Sequence, residues 1–419
     1  MKRISRRTLT LCLLWLLVGI GGGIILDRYP VLARGGSAAP DFQIMRQAWR
    51  LIDQYYVDRS AVRPQRITYA AVSGMVNSLG DTGHTTFLSP LQVKEAREAE
   101  QGRFAGIGIE VRLQDKQAVV VAPLDGTPAQ KAGLQPGDII FKVDGKEIAG
   151  KTLEQVARRI RGPTGSRVTL SLRDPGTDKT RNVTVTRREI HVHSVTWHLL
   201  PGTRVADVRI ASFSKDTARG LRKAINELRA QGARAIILDM RNDPGGILSQ
   251  AVEAASDFLT GGNVLLVKND KGKTKPIPVK DNGPKTALPL AILVNGGTAS
   301  AAEIVAGALQ DAGRAWVVGE QTFGTGTVLR KFALRDGSAL MLAVAEWLTP
   351  SGHTIWHKGI KPDVKVTPGH DMRPLYPEVL PSMSPGQFQA YQDPQLKRAL
   401  ELLDTGPAPA SHVTTAHPG

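Results

Sequence analysis

Cysteine is all but absent from this chain of 419 residues, and the only one, Cys12, lies in an apolar run close to the N-terminus. An intramolecular disulfide and a cysteine-based metal site are therefore excluded. Clustered charge is lacking too. Lysine and arginine outnumber aspartate and glutamate by 54 to 38, for a formal net charge of +16, yet they are dispersed and carry no RNA- or DNA-binding signature. Nucleic acid is not an expected partner; such a basic exterior reflects background composition or favours an anionic membrane surface. No internal repeat is evident, and nothing in the pattern implies a metal or a cofactor.

Long apolar runs are scarce, with one exception. The uncharged stretch Thr8–Leu26 follows Lys2, Arg3, Arg6 and Arg7 and is nearly long enough to span a bilayer, with its positive residues on the inner side. Ser5-Arg6-Arg7-Thr8-Leu9 is a faint twin-arginine pattern, and Val31-Leu32-Ala33 offers a poor cleavage site. Leu9-Thr10-Leu11-Cys12 fails as a lipobox, because Leu11 is large and the cysteine sits mid-run. The expectation is a signal sequence or membrane anchor over 1–33, uncleaved and single-pass, holding the remainder outside the cytoplasm at the cell membrane. If the signal is cleaved, the protein is secreted.

The rest is ample for globular structure, since 41% hydrophobic content at this length supports two or three domains with real cores. A small-residue linker, Gly35–Pro40, precedes helical spacing over Phe42–Tyr56, and a second helix is predicted over Tyr69–Leu79. Phe104 to Arg188 is a different unit. It holds Gly106-Ile107-Gly108-Ile109, alternation over Val111–Val121, a helix over Thr152–Arg161 and strands near Val168–Leu172 and Asn182–Arg187. From Val205 strands and helices alternate, with a strand to Ser212, an amphipathic helix over Asp216–Ala230 and a buried strand over Ala233–Met240. Arg241-Asn242-Asp243-Pro244-Gly245-Gly246 and a helix over Ile247–Leu259 follow, then a polar loop or hairpin over Lys268–Lys285.

The apolar run Leu288–Val294 reads as a buried strand, Gly296-Gly297 turns it, and Ala301–Leu309 has the spacing of a helix packed on a sheet. Ser300 stands at the corner between them. A hydroxyl there lies beside unpaired N–H groups and the positive end of a helix dipole, where a developing oxyanion is stabilised. Ser300-Ala-Ala-Glu303 also spells a helix capping box, so cap and nucleophile both fit these residues alone. Gly245-Gly246 likewise fits a simple turn, or backbone amides that approach a substrate carbonyl closely.

The neighbourhood separates these readings. Asn295 to Asp311 resembles the nucleophile region of peptidase family S41, the carboxyl-terminal processing proteases. Its pattern, Asn-x-Gly-Ser/Thr-Ala-Ser-Ala-Ser-Glu ending Ala-Gly-Ala-Leu-Gln-Asp, is kept except for one late serine, Ala302 here. Arg241 to Gly246 resembles the family's Asp-Leu-Arg-x-Asn-Pro-Gly-Gly, and Trp347–Gly352 and Gly359–Asp363 match further landmarks. Gly80–Pro90 resembles Leu-Gly-Asp-Pro-Tyr-Thr-x-Phe-Leu, with His84 where the bacterial enzymes carry tyrosine. The ordered glycine and strand motifs of 104–188 look like a PDZ domain of the circularly permuted bacterial type.

The resemblance implies an α/β fold: a crotonase-like S41 protease core over 189–368 with a mostly β PDZ domain inserted at 104–188. It adds an N-terminal helical segment over 41–100 and a C-terminal tail with one short helix over 369–419. It implies Ser300 as nucleophile, an oxyanion hole from an amide of Gly245 or Gly246 together with that of Ala301, and Gly106-Ile107-Gly108-Ile109 as the loop that captures a peptide carboxylate. Partners would be C-terminal or unfolded tails of protein substrates, and the terminal helices are candidate assembly elements for a homo-oligomer.

One departure stands out. The family's lysine and glutamine in Thr-Phe-Gly-Lys-Gly-x-Val-Gln are Thr325 and Leu329 here, and a threonine hydroxyl cannot act as a general base near neutral pH. Three explanations stay open. His84 is the base, as in the Asp-x-His-Thr form of the tricorn branch; a displaced lysine such as Lys331 or Lys358 serves; or the protein is an inactive pseudo-protease that binds tails as a PDZ-based adaptor. Glu346 is a candidate orienter of the imidazole.

Overall fold

The computed structural model describes residues 41–81, 85–114, 117–123, 127–135, 137–151, 153–174, 177, 179–191, 193–368 and 374–405. The expected anchor and His84 lie outside the described residues. Among those described, no helix is long and apolar enough to cross a membrane.

The described residues up to Ala70 belong to one compact unit and those from Ala71 to another. In the first, α1 (Phe42–Tyr55) is capped by Asp41, whose carboxylate accepts the Gln43 N–H, and α2 (Pro64–Asn77) runs on past Ala70. This second helix begins earlier than its apolar spacing suggests. Proline's fixed φ and missing N–H suit the first turn of a helix, so Pro64 opens it.

The larger unit opens with β1 (Thr86–Leu88) and α3 (Pro90–Glu100), the latter closed by a Ser89–Gln92 capping box. A β-rich subdomain follows: β2 (Arg103–Gly106), β3 (Ile109–Gln114), β4 (Gln117–Pro123), α4 (Pro128–Lys131), β5 (Ile139–Val143), β6 (Lys146–Glu147), α5 (Leu153–Ile160), β7 (Arg167–Arg173), β8 (Thr180–Thr186) and β9 (Arg188–His191). Strands β3-β4-β5-β7-β8 form an antiparallel sheet. Its alternating inward residues, such as Val168, Leu170 and Leu172 of β7, share a core with Val156 and Ile160 of α5. Entry strand β2 pairs antiparallel with exit strand β9, so the chain enters and leaves side by side, as an insertion requires.

The remaining elements are β10 (Val195–Leu199), β11 (Val205–Ile210), α6 (Thr217–Ala230), β12 (Ala235–Asp239), α7 (Leu248–Ser256), β13 (Asn263–Lys268), β14 (Thr274–Pro278), β15 (Leu290–Val294), α8 (Ala301–Asp311), β16 (Trp316–Gly319), β17 (Thr327–Ala333), β18 (Ala339–Leu348), β19 (Val364–Lys365), α9 (Pro385–Ala390) and α10 (Pro394–Thr405). The main sheet runs β10-β11-β12-β15-β16-β19 and is parallel apart from the β10–β11 pair. On one face α6, α7 and α8 bury Leu221, Ile225, Val252 and Ile304 against Val208, Ile236 and Ile292. The polar stretch after Lys268 proves to be the hairpin β13–β14, part of a second sheet in which β18 pairs with β1, β13 and β17.

The C-terminal segment is more than a tail with one short helix. Its described part covers the other face of the main sheet, where Leu375, Leu380, Phe388, Leu396 and Ala399 pack with Ile237, Ala291, Leu293 and Val318. The reason lies in β12 and β15, which are apolar on both faces and need a second cover.

Candidate active site

Ser300 is the N-cap of α8, on the turn that follows β15, with φ 56° and ψ −120°, a backbone conformation that non-glycine residues rarely adopt. Such a corner costs about 1–3 kcal/mol and persists only where its surroundings enforce it. The enforcing group is Glu303. It is completely buried, and its carboxylate accepts the Ser300 N–H (2.8 Å), the Thr322 hydroxyl (2.5 Å), and the N–H groups of Gly324 (2.7 Å) and Thr325 (2.9 Å). The Glu303 N–H itself donates to the main-chain carbonyl of Ser300 at 2.9 Å, so it does not depend on the serine hydroxyl. The capping-box spelling was legible in sequence. That its glutamate also grips the 322–325 turn was not.

Across from Ser300 lies the loop after β12. Gly245 approaches so closely that a Cβ there would stand 2.6 Å from Ser300 Cβ and 2.7 Å from the Ala301 nitrogen. Gly246 is pressed on Phe213, whose carbonyl would lie 2.3 Å from an added Cβ. Phe213 clamps the loop from behind, donating to the Gly245 carbonyl and accepting the Ile247 N–H, each at 2.8 Å. The two glycine amides differ. That of Gly245 donates to Asp243 Oδ1 at 2.7 Å, whereas those of Gly246 and Ala301 have no acceptor among the described residues.

The two loops are stitched together. Asn242, at φ 58°, donates its N–H to Asn295 Oδ1 (2.9 Å) and accepts the Asn295 Nδ2–H at its own Oδ1 (3.0 Å), while Ala299 N–H donates to the Asp243 carbonyl (2.9 Å). Behind Asn242, the buried Arg241 bridges Asp239 (2.6 Å) and Asp393 (2.9 Å). Burial alone would weaken its charge, but Asp239 and Asp393 more than offset this and hold its pKa above the usual arginine value. Asp393 also accepts the Leu375 and Leu396 N–H groups, at 2.9 and 3.0 Å, which ties the C-terminal cover to the loop. No sequence signal linked that segment to the site.

Thr325 is buried, and no histidine or lysine among the described residues hydrogen-bonds the Ser300 hydroxyl. Lys331 is exposed on β17, and Lys358 is exposed beside the Gly324 turn. Glu346 on β18 accepts Lys268 Nζ at 3.3 Å. The segment flanking His84 is anchored to the same sheet, since Thr85 donates its hydroxyl to Asp81 (2.5 Å) and accepts the Ala343 N–H (3.0 Å). In the inserted subdomain Ile107 is buried, and Gly108, at φ 76°, has a carbonyl that accepts the Thr127 hydroxyl at 3.1 Å. The Ile107 and Gly108 N–H groups have no acceptor among the described residues.

Residues 204–366 match Peptidase family S41, and residues 119–174 match a PDZ domain family. The carboxyl-terminal-processing protease of Synechocystis sp. is 33% identical over 397 residues, 90% of either chain. A probable CtpA-like serine protease of Staphylococcus aureus is 39% identical over 319 residues, 75% of this chain, which spans 62% of that relative. The solved photosystem II D1 C-terminal processing protease is 32% identical, with a TM-score of 0.52, covering 86% of this chain and 100% of its own.

Proposed function

Because the chain belongs to peptidase family S41, we propose that it is a serine endopeptidase that cleaves C-terminal or unfolded segments of proteins, with Ser300 as nucleophile. The observation that carries this reading is the strained Ser300 corner facing two unspent amides, those of Gly246 and Ala301. Attack of Ser300 Oγ on a peptide carbonyl moves charge to the carbonyl oxygen, and preorganised N–H donors stabilise that charge without reorganising. His84 takes the hydroxyl proton and delivers it to the leaving amine, and water then hydrolyses the acyl-enzyme. A fluorophosphonate probe should label wild type and leave Ser300→Ala unlabelled. An unlabelled wild type would instead favour the adaptor, the reading that the buried Thr325 supports.

The PDZ unit guides the substrate. Strand β3 is the end strand of its sheet, and the Ile107 and Gly108 amides precede it, an arrangement that suits an extended peptide with its terminal carboxylate in the loop. A free-acid peptide should accordingly bind more tightly than its C-terminal amide by fluorescence anisotropy, and equal affinities would remove the carboxylate from the argument. The basic, apolar N-terminal segment supports action outside the cytoplasm at the cell membrane, and the exposed Phe42, Ile44, Leu51 and Tyr55 of α1 support self-association.

A further inference from the structure

Asp243 stands where the family pattern has asparagine. It is completely buried between the nucleophile corner and the oxyanion loop. Its Oδ1 accepts the Gly245 N–H at 2.7 Å and its main-chain carbonyl accepts the Ala299 N–H at 2.9 Å. Its Oδ2 is buried with no hydrogen-bond partner among the described residues.

The charged groups around it are mostly committed elsewhere. Arg241 is paired with Asp239 and Asp393, and Glu303 on α8 is filled by its four donors. From β11, Arg209 faces Asp243 but forms no ion pair with it; its guanidinium lies 3.3 Å from the Tyr376 ring centroid. Asp207, also on β11, is buried with both carboxyl oxygens unpartnered among the described residues, and it faces Asp239 and Arg241. Burial holds the Asp243 pKa well above the ordinary carboxylate range, and the Gly245 N–H and Arg209 offset this only in part.

We infer that Asp243 is the positioning residue of the oxyanion loop and works in its neutral form, as an asparagine mimic. The uncharged acid accepts the Gly245 N–H through its carbonyl oxygen and fixes the Pro244–Gly245 peptide, so that the next peptide, held at the Gly245 carbonyl by Phe213, keeps the Gly246 N–H aimed at the substrate. Ionised, the same group places a buried anion, compensated only in part by the Gly245 N–H and Arg209, next to the donors and opposes the developing oxyanion. The inference rests on Ser300 as the nucleophile.

The test is the pH dependence of kcat and KM for wild type, Asp243→Asn and Asp243→Ala, with Ser300→Ala as the zero. Wild-type kcat should fall at the alkaline end in a one-proton step that Asp243→Asn lacks, while Asn keeps the activity at neutral pH. Asp243→Ala frees the Gly245 amide and should cost about 10²-fold in kcat with KM little changed, as small misplacements of catalytic donors do. An alkaline step that persists in Asp243→Asn overturns the inference, as does wild-type kcat in Asp243→Ala. If the alanine variant does not fold, the asparagine comparison decides alone. A wild type without Ser300-dependent labelling or turnover sinks the nucleophile reading as well, whereas a labelled enzyme whose alkaline step ignores Asp243→Asn sinks only this one.

Discussion

His84→Ala should lower kcat/KM by about 10⁴- to 10⁶-fold, the range over which loss of a triad member acts in serine hydrolases, with loss of the base at its upper end. The expectation follows from what the site withholds. Thr325 occupies the lysine position, is buried, and spends its N–H on Glu303, so the family's usual proton acceptor has no counterpart there. His84 directly precedes Thr85, which is fastened to β18, the antiparallel partner of the strand β17 that follows the Thr325 turn. An accepting imidazole must be neutral, so activity should rise with pH across the imidazole range, between about pH 5 and 8. Peptide affinity of the PDZ unit should be unchanged in the variant. Normal turnover in His84→Ala would refute the Ser/His pairing and redirect the search to Lys331 and Lys358.

Arg241→Leu should cost about 3–5 kcal/mol of stability, because it leaves two buried carboxylates facing each other without their cation. Asp239 and Asp393 are almost completely buried, and the fork of this guanidinium engages both at once. Lysine would not restore the arrangement, since a single ammonium cannot make both bidentate contacts. The thermal unfolding midpoint should fall clearly in both variants, further in Leu. Residual folded protein should also label slowly with fluorophosphonate, because Arg241 anchors the loop that ends in Gly246. A wild-type midpoint in Arg241→Leu would show that the C-terminal cover is not fastened through this residue.

Much of the site could be read directly from residues that are neighbours in sequence. The apolar run into Gly296-Gly297 and the helical spacing after Ser300 encode a strand-to-helix corner. Gly245-Gly246 encodes a close backbone approach, and the PDZ unit was legible from its ordered glycines and alternating strands. These are properties of short windows, where dihedral preference and burial period suffice. Which partners meet across the fold was decided only by the tertiary structure. Glu303 reaches donors about twenty residues further on, and Arg241 finds Asp393 at a separation of 152. The choice between the Gly245 and Gly246 amides turns on one hydrogen bond to Asp243. The sequence by itself determined the corner, the glycine loop and the order of the domains, because local sterics and hydrophobic period are written residue by residue. Only the folded chain decided which loop amide keeps no acceptor among the described residues, what holds the serine in its strained conformation and what covers the second face of the sheet, because a buried polar group takes whichever partner the packing of distant segments brings within reach.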